Sequence, residues 1–266
     1  MFENDELNVQ NENEEVTKNN LNRLFHIGGG MKMLLVVLLS ILQFGLSAYL
    51  LLKVAQIEIV IPVDGMPDVN LNDYAFSYYF SIVISAIPPL LLLLVYLGAK
   101  SKNNMLMANT VHAAQTILKI YKWFMIVVFG LFGLLSIIML LVVPGIALVL
   151  LVILGLVLAI FLVIIRIFVK FLFDLEGNLD QSLVLTKADP SSVLVLLYIS
   201  FGLTLISTLL GFASTDAVSQ TPYDQYLQPL FDALEPLSSI IGAIGIVSSL
   251  VMILVLRQLK SEFTEA

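Results

Sequence analysis

Six long apolar stretches, each free of charged residues and histidine, constrain the fold of this chain more than any other feature of its sequence. The hydrocarbon core of a bilayer is about 30 Å thick, and a helix of about 20 residues at 1.5 Å per residue crosses it. We therefore predict six transmembrane helices, at Met33–Leu52, Ala75–Leu97, Trp123–Val143, Ile146–Ile165, Val193–Phe212 and Leu237–Leu256.

The composition supports a membrane protein. Hydrophobic residues make up 59% of the chain and charged residues only 12%, about half the charged content of an average globular domain. So little polar surface cannot cover a water-soluble core. The expected fold is an all-α, polytopic membrane helix bundle.

The third and fourth predicted spans are separated only by Pro144 and Gly145. This turn signal permits either a tight helical hairpin with six spans in total or one kinked helix with five. With six spans and an inner N-terminus, twelve of the 13 basic residues lie inside and Lys53 alone lies outside. Five spans would export Arg166, Lys170 and Lys187. The positive-inside rule therefore favours six spans with both termini in the cytoplasm.

The apolar domain, residues 31–260, is flanked by two polar segments. Residues 1–30 form an acidic, Asn-rich tail that cannot bury enough apolar area to fold alone, and residues 261–266 form a short cytoplasmic tail. The first apolar stretch lacks a small-residue cleavage site, so we interpret it as a retained anchor. The predicted location is a plasma membrane, of a bacterial cell.

A further helix is predicted between the second and third spans. Apolar residues recur there at helical spacing, with polar residues opposite them: Met107, Val111, Ala114, Leu118 and Tyr121 on one side, and Asn109, His112, Thr116 and Lys119 on the other. This pattern is typical of an amphipathic interfacial helix on the inner leaflet. A short soluble helix packed on the bundle is the alternative.

Four basic residues are predicted to contact lipid headgroups on the inner side. Arg166 and Lys170 lie one turn apart where the fourth helix leaves the bilayer, and Lys119 and Lys122 precede the third span. Long basic side chains can keep their apolar stems in lipid while the charge reaches the phosphates. Trp123, the single tryptophan, is of the residue type enriched at this interface.

The second span contains a candidate kink or pathway formed by Ser81, Ser85, Pro88 and Pro89. The two prolines leave two carbonyls without helical donors, and carbonyls in hydrocarbon need another partner. The segment is either a broken helix that lines a substrate or ion pathway or a kink repaired by a serine hydroxyl.

Small residues in the fifth and sixth spans are candidate packing positions. They are Gly202, Ser207 and Gly211 in one span and Ser238, Gly242 and Gly245 in the other. Such residues let helix backbones approach closely, although a hydroxyl-lined transport path would have a similar pattern.

The predicted outer face carries eight acids against Lys53, which accounts for the whole net charge of −7. The segment 68–73 resembles a calcium-binding loop in its alternating oxygen ligands, but it lacks the glycine and the distal Glu. We predict an acidic, solvated surface and no metal site. The chain has no cysteine, which excludes disulfides and thiolate chemistry.

No catalytic constellation, nucleotide motif or cofactor motif is present, and no Asp, Glu, Lys, Arg or His lies within a span. Proton-coupled carriers and intramembrane metalloproteases need such residues. The predicted function is therefore a non-enzymatic membrane subunit or accessory protein. Its expected partners are the lipid bilayer and either another membrane protein or a second copy, with no cofactor and no nucleic acid. The alternative is a transporter or substrate-binding permease component for a neutral or apolar small molecule.

Overall fold

A computed structural model of the chain describes residues 22, 24–57, 60–61, 69–70, 75–140, 144–180, 190–214 and 224–264. These residues are helical apart from short turns and two strands of two residues each. The helices are α1 (Met31–Val54), α2 (Ala75–Ser85), α3 (Ile87–Lys100), α4 (Asn104–Met139), α5 (Pro144–Asp180), α6 (Ser191–Ser214) and α7 (Asp224–Thr264). Strands β1 (Val60–Ile61) and β2 (Val69–Asn70) pair antiparallel, with Val60 opposite Asn70.

Six helical stretches are long and apolar enough to cross a membrane, which confirms a multi-pass membrane protein. They are Leu24–Val54, Ser77–Lys100, Met105–Ile138, Ala147–Glu176, Ser191–Thr208 and Leu237–Ser261. The second comprises α2 and α3. Helix α4 ends at Met139 and α5 begins at Pro144, where proline is favoured because its missing N–H has no helical partner to lose. The five-span alternative with one kinked helix is therefore wrong.

The segment predicted as an interfacial helix is the first part of α4 and continues without a break into the third span. The Asn103 side chain begins this helix by accepting hydrogen bonds from the backbone N–H groups of Met105 (3.0 Å) and Leu106 (3.3 Å). Met107 and Val111, on the predicted apolar face, are fully buried. That face packs against protein, as in the alternative of a helix packed on the bundle.

The helices extend beyond the predicted spans at both ends of the chain. Residues 24–28 are helical and precede α1, with Leu24 and Phe25 buried. The rest of the predicted N-terminal tail, residues 1–21 and 23, lies outside the described residues. At the other end α7 runs to Thr264, through most of the predicted C-terminal tail.

The chain divides into two compact units. Unit 1 comprises Met1–His26, Leu97–Leu196 and Gln258–Ala266; unit 2 comprises Ile27–Tyr96 and Leu197–Arg257. The buried residues of unit 1 include Ala99, Met107, Val111, Ala114, Gln115, Leu118, Ile165, Leu172, Leu175, Val193, Leu194 and Leu259. Those of unit 2 include Met33, Val36, Val37, Tyr96, Ile253, Val255 and Leu256.

Helices α3 and α4 approach closely within unit 1. A Cβ added at Gly98 would lie 3.0 Å from Met107 Sδ and 3.1 Å from Thr110 Cβ, and closer still to Thr110 Oγ1. Gly98 therefore permits a contact between the two helices that any side chain would obstruct.

Candidate functional site

Gln43 is the most polar side chain within the spans and lies near the middle of the first one. It is the only Asn or Gln in any of the six predicted spans. A Cβ added at Gly245 would lie 3.1 Å from Gln43 Nε2 and 3.7 Å from Thr204 Cγ2. Unit 2 therefore brings an amide, a threonine and a glycine from α1, α6 and α7 together.

The amide of Gln43 makes no hydrogen bond to any residue that the structure describes. The nearby Thr204 hydroxyl instead donates to the Ser200 carbonyl, at 2.9 Å. An amide in hydrocarbon without a partner is costly. The arrangement is therefore a candidate point for binding a polar group. Gln43 is absent from the sites predicted above. It could have been identified from the sequence, because it is the only carboxamide in the predicted spans.

Two of the six predicted packing positions lie at helix contacts in unit 2. A Cβ added at Gly242 would lie 2.7 Å from Thr208 Oγ1 and 3.2 Å from Thr208 Cγ2, so α7 approaches α6 closely at this glycine. The second position is Gly245, whose contacts with Gln43 and Thr204 are given above. Both contacts use small residues in the way expected for membrane helices.

The other four predicted packing positions have different surroundings. Nothing lies within 4 Å of a Cβ added at Gly202, and Ser207 and Ser238 are exposed. Gly211 lies in α6, and its neighbours are outside the described side chains.

The predicted kink coincides with a break between two helices. Helix α2 ends at Ser85 and α3 begins at Ile87. The Ser85 hydroxyl donates to the Ile82 carbonyl at 3.0 Å, and the Ser81 hydroxyl donates to the Ser77 carbonyl at 2.8 Å. Neither serine supplies the donors that the two prolines remove, so the predicted repair by a hydroxyl is not found.

The prolines themselves differ in exposure. Pro88 is exposed, whereas Pro89 is buried. Both belong to unit 2, as does Gln43.

Unit 1 contains a polar cluster at one carboxylate. Glu176 Oε2 accepts a hydrogen bond of 2.5 Å from Gln115 Nε2, and Glu176 Oε1 lies 2.8 Å from His112 Nδ1. Gln115 is only 1% exposed, whereas the His112 side chain is 64% exposed. The cluster joins α4 to α5 and satisfies a buried amide.

The four predicted headgroup contacts all lie on α4 and α5. Lys119, Arg166 and Lys170 are exposed and Lys122 is half-buried. Lys122 Nζ lies 5.8 Å from the centre of the Trp123 ring, a cation–π geometry. The α4–α5 hairpin therefore carries four cations, one of which lies over the ring of the only tryptophan of the chain.

No group of three or more His, Cys, Asp or Glu side chains within the described residues is placed to hold a metal ion. The carboxylate of Glu176 is occupied by two neighbours that hold it between helices. Residues 71–74 of the acidic outer segment, including Asp73, lie outside the described part of the chain, as do residues 62–68.

Comparisons of the chain with protein-family models, with curated proteins and with solved structures found no match. The candidate function therefore rests on the geometry of the spans and their polar contacts.

Proposed function

We propose that the protein is a non-enzymatic subunit or accessory protein of a larger membrane complex, acting through helix–helix and interfacial contacts. It would reside in a bacterial plasma membrane with both termini in the cytoplasm, an orientation supported by the bias of twelve basic residues to one side.

The observation that carries this proposal is the open surface of the α4–α5 hairpin. In the most apolar 18-residue stretch of each of these helices, only 6% is buried. Large apolar side chains repeat at helical spacing on both helices and are more than half exposed, at Val127, Leu131 and Leu135 on α4 and at Leu148, Val152 and Leu156 on α5.

Glycines interrupt this surface. Nothing lies within 4 Å of a Cβ added at Gly130, Gly133 or Gly155. A surface that contacts only lipid tails gains packing from large side chains, whereas glycines allow the backbone of another helix to approach. The open glycines therefore favour contact with a second membrane protein.

The test is extraction in a mild detergent followed by purification of the intact chain. We expect a membrane-protein partner to co-purify with the wild type and to be lost from Gly130→Leu, because the new side chain occupies the surface that the partner helix needs. Gly45→Leu is the matched control, since this α1 glycine also has nothing within 4 Å of an added Cβ.

Two results would contradict the proposal. One is equal loss of the partner from both variants. The other is isolation of the wild type as a lone monomer whose melting temperature rises with a small molecule.

The second of those results would favour a transporter or substrate-binding permease component for a neutral or apolar small molecule. The specific observation behind this second candidate is that the Gln43 amide has no hydrogen-bond partner among the described residues and lies in the same unit as the break before Pro88. A neutral ligand with a hydrogen-bonding group would satisfy that amide without requiring a charged counterpart, and the spans contain none.

A further inference from the structure

Four cations on the α4–α5 hairpin have no acidic partner among the described residues. We call Lys119, Lys122, Arg166 and Lys170 the basic collar. None of them takes part in an ion pair with a residue that the structure describes; the pair recorded on this hairpin joins His112 to Glu176. Their charge is therefore available to an external anion.

Two contacts show that the helices carrying the collar are antiparallel at this level. The rings of Tyr121 and Phe161 meet edge to face with centroids 5.3 Å apart, and Gln115 donates to Glu176. The second contact lies before the first in the sequence of α4 and after it in the sequence of α5. Residues before Tyr121 and residues after Phe161 therefore lie on the same side of the aromatic contact.

This register places the collar within one section of the hairpin. Lys122 follows the tyrosine of the aromatic contact by one residue, and Lys119 precedes it by two. Arg166 and Lys170 follow the phenylalanine by five and nine residues. At 1.5 Å per residue the four Cα atoms occupy about 15 Å of the hairpin axis when measured from the aromatic contact, and about 9 Å when measured from the Gln115–Glu176 contact. Long basic side chains can bring their charges closer to one plane.

The nearest acids on α5 do not neutralise the collar. Glu176 is held by Gln115 and His112. Asp174 lies one turn beyond Lys170, yet it forms no ion pair with a described residue. The collar therefore keeps a local positive charge although the whole chain is acidic, with a net charge of −7.

The surface of α4 changes character at the collar. On one side of it, Val111 and Ala114 are completely buried in protein. On the other side, Val127 and Leu131 are more than half exposed, as expected for side chains that face lipid. Trp123 lies between these regions and is 65% exposed. An amphipathic ring in that position is typical of the headgroup level, so the collar lies where the bilayer begins.

We propose that the basic collar is a binding site for the phosphate headgroups of anionic phospholipids. The ligand follows from three properties of the collar: positive charge without an acidic partner among the described residues, two donor types suited to phosphate oxygens, and a position at the boundary between protein-covered and lipid-facing surface. This proposal does not depend on whether the chain is a subunit or a transporter.

Trp123 is a built-in reporter of the lipid beside the collar, because it is the only tryptophan. The full chain is reconstituted in vesicles of phosphatidylcholine and phosphatidylglycerol in which one or the other lipid carries brominated acyl chains that quench the tryptophan. Relative quenching gives the relative affinity of the two lipids at this position. One basic residue near an anionic surface changes affinity roughly fivefold, so we expect a preference for phosphatidylglycerol of about that size or more.

The double variant Arg166→Gln, Lys170→Gln leaves Trp123 and its neighbour Lys122 in place. It should bring the ratio of the affinities for phosphatidylglycerol and phosphatidylcholine closer to one. The matched control is Arg257→Gln with Lys260→Gln, which removes the same two residue types from α7 and should leave the preference unchanged. Lys119→Gln serves as a second variant should the double variant fail to fold, and it should lower the preference in the same direction.

Three outcomes overturn the proposal. These are equal quenching by both lipids in the wild type, a full preference in the folded collar variants, and an equal loss in the α7 control. Inorganic phosphate at matched ionic strength is the final arm. An unchanged preference supports a headgroup site, whereas loss of the preference would be a fourth outcome against it, because free phosphate would then displace the headgroup from the collar.

Discussion

Gln43 and Gln115 are the same residue type in opposite circumstances. Gln115 is buried and donates to a carboxylate at 2.5 Å, whereas Gln43 lies in a span and has no hydrogen-bond partner among the described residues. A satisfied buried amide stabilises the fold, and an unsatisfied one costs free energy. The two residues should therefore respond differently to the same substitution.

We expect Gln115→Met to lower the free energy of unfolding by about 1–3 kcal/mol, because Glu176 would lose the hydrogen bond donated by the fully buried Gln115 and keep only its contact with His112. Gln43→Met should instead leave the free energy of unfolding unchanged or raise it, since methionine removes an unpaired amide and keeps a similar volume. Denaturant titration of both variants in the same detergent measures the difference.

The two variants are each other's controls. A clear loss of stability in Gln43→Met would mean that this amide has a partner, such as water or a bound molecule, in the protein as purified. If a small molecule raises the melting temperature of the wild type but not that of Gln43→Met, the molecule binds at this residue.

Only one of these two glutamines could have been identified from the sequence. Gln43 is the only carboxamide in the predicted spans, so its polarity is conspicuous there. Gln115 lies in a polar stretch and acquires its importance from Glu176, 61 residues away. Such a pairing depends on the register of two helices, which the pattern of apolar residues does not specify.

Helix α4 shows why elements were harder to predict than spans. The interfacial helix and the third span were predicted separately because the hydropathy changes near Trp123. The segment 104–139 contains no proline, however, and the structure has one helix throughout. A change in hydropathy marks the headgroup level, but it does not by itself interrupt the backbone hydrogen bonds of a helix as a proline would.

The contact between α3 and α4 gives a prediction at the scale of elements. Alanine favours a helix over glycine by about 1 kcal/mol, but at Gly98 it would place a Cβ 3.1 Å from Thr110 Cβ and nearer to Thr110 Oγ1. That hydroxyl is held by a 2.8 Å hydrogen bond to the Met107 carbonyl. Overpacking costs about 1–3 kcal/mol, so Gly98→Ala should lower the melting temperature.

Gly155→Ala is the matched control, because nothing lies within 4 Å of its added Cβ. Its melting temperature should equal or exceed that of the wild type. Thr110→Ala introduced together with Gly98→Ala should recover part of the loss by removing the closest atom. Equal melting temperatures for Gly98→Ala and Gly155→Ala would show that the two helices are not in close contact at this glycine.

The number of spans was predictable because it depends on the length and hydropathy of continuous segments of the sequence. A run of about 20 apolar residues has few stable alternatives to crossing the bilayer, and Pro144 with Gly145 separates two such runs. The division into two units was not predictable in the same way. Its boundaries fall within α3, α6 and α7, where side-chain contacts change while the hydropathy pattern does not.

The orientation of the whole molecule can be tested directly because the chain contains no cysteine. Any thiol label then reports only an introduced residue. Met31 and Gln56 are exposed and lie at opposite ends of α1, and Phe173 is exposed near the end of α5. With six spans and an inner N-terminus, Gln56→Cys lies outside, while Met31→Cys and Phe173→Cys lie inside.

A membrane-impermeant maleimide should therefore label Gln56→Cys in intact cells and label the other two variants only after the membrane is permeabilised. The physical basis is the cost of translocating basic segments, since Arg166 and Lys170 precede Phe173 and would have to cross with it. The reverse labelling pattern at all three positions would show that the protein has the opposite orientation in the membrane, with the basic collar at the outer leaflet. Labelling of Phe173→Cys from outside together with Gln56→Cys, with Met31→Cys still protected, would mean that α4 and α5 make only one crossing between them, which would contradict six spans.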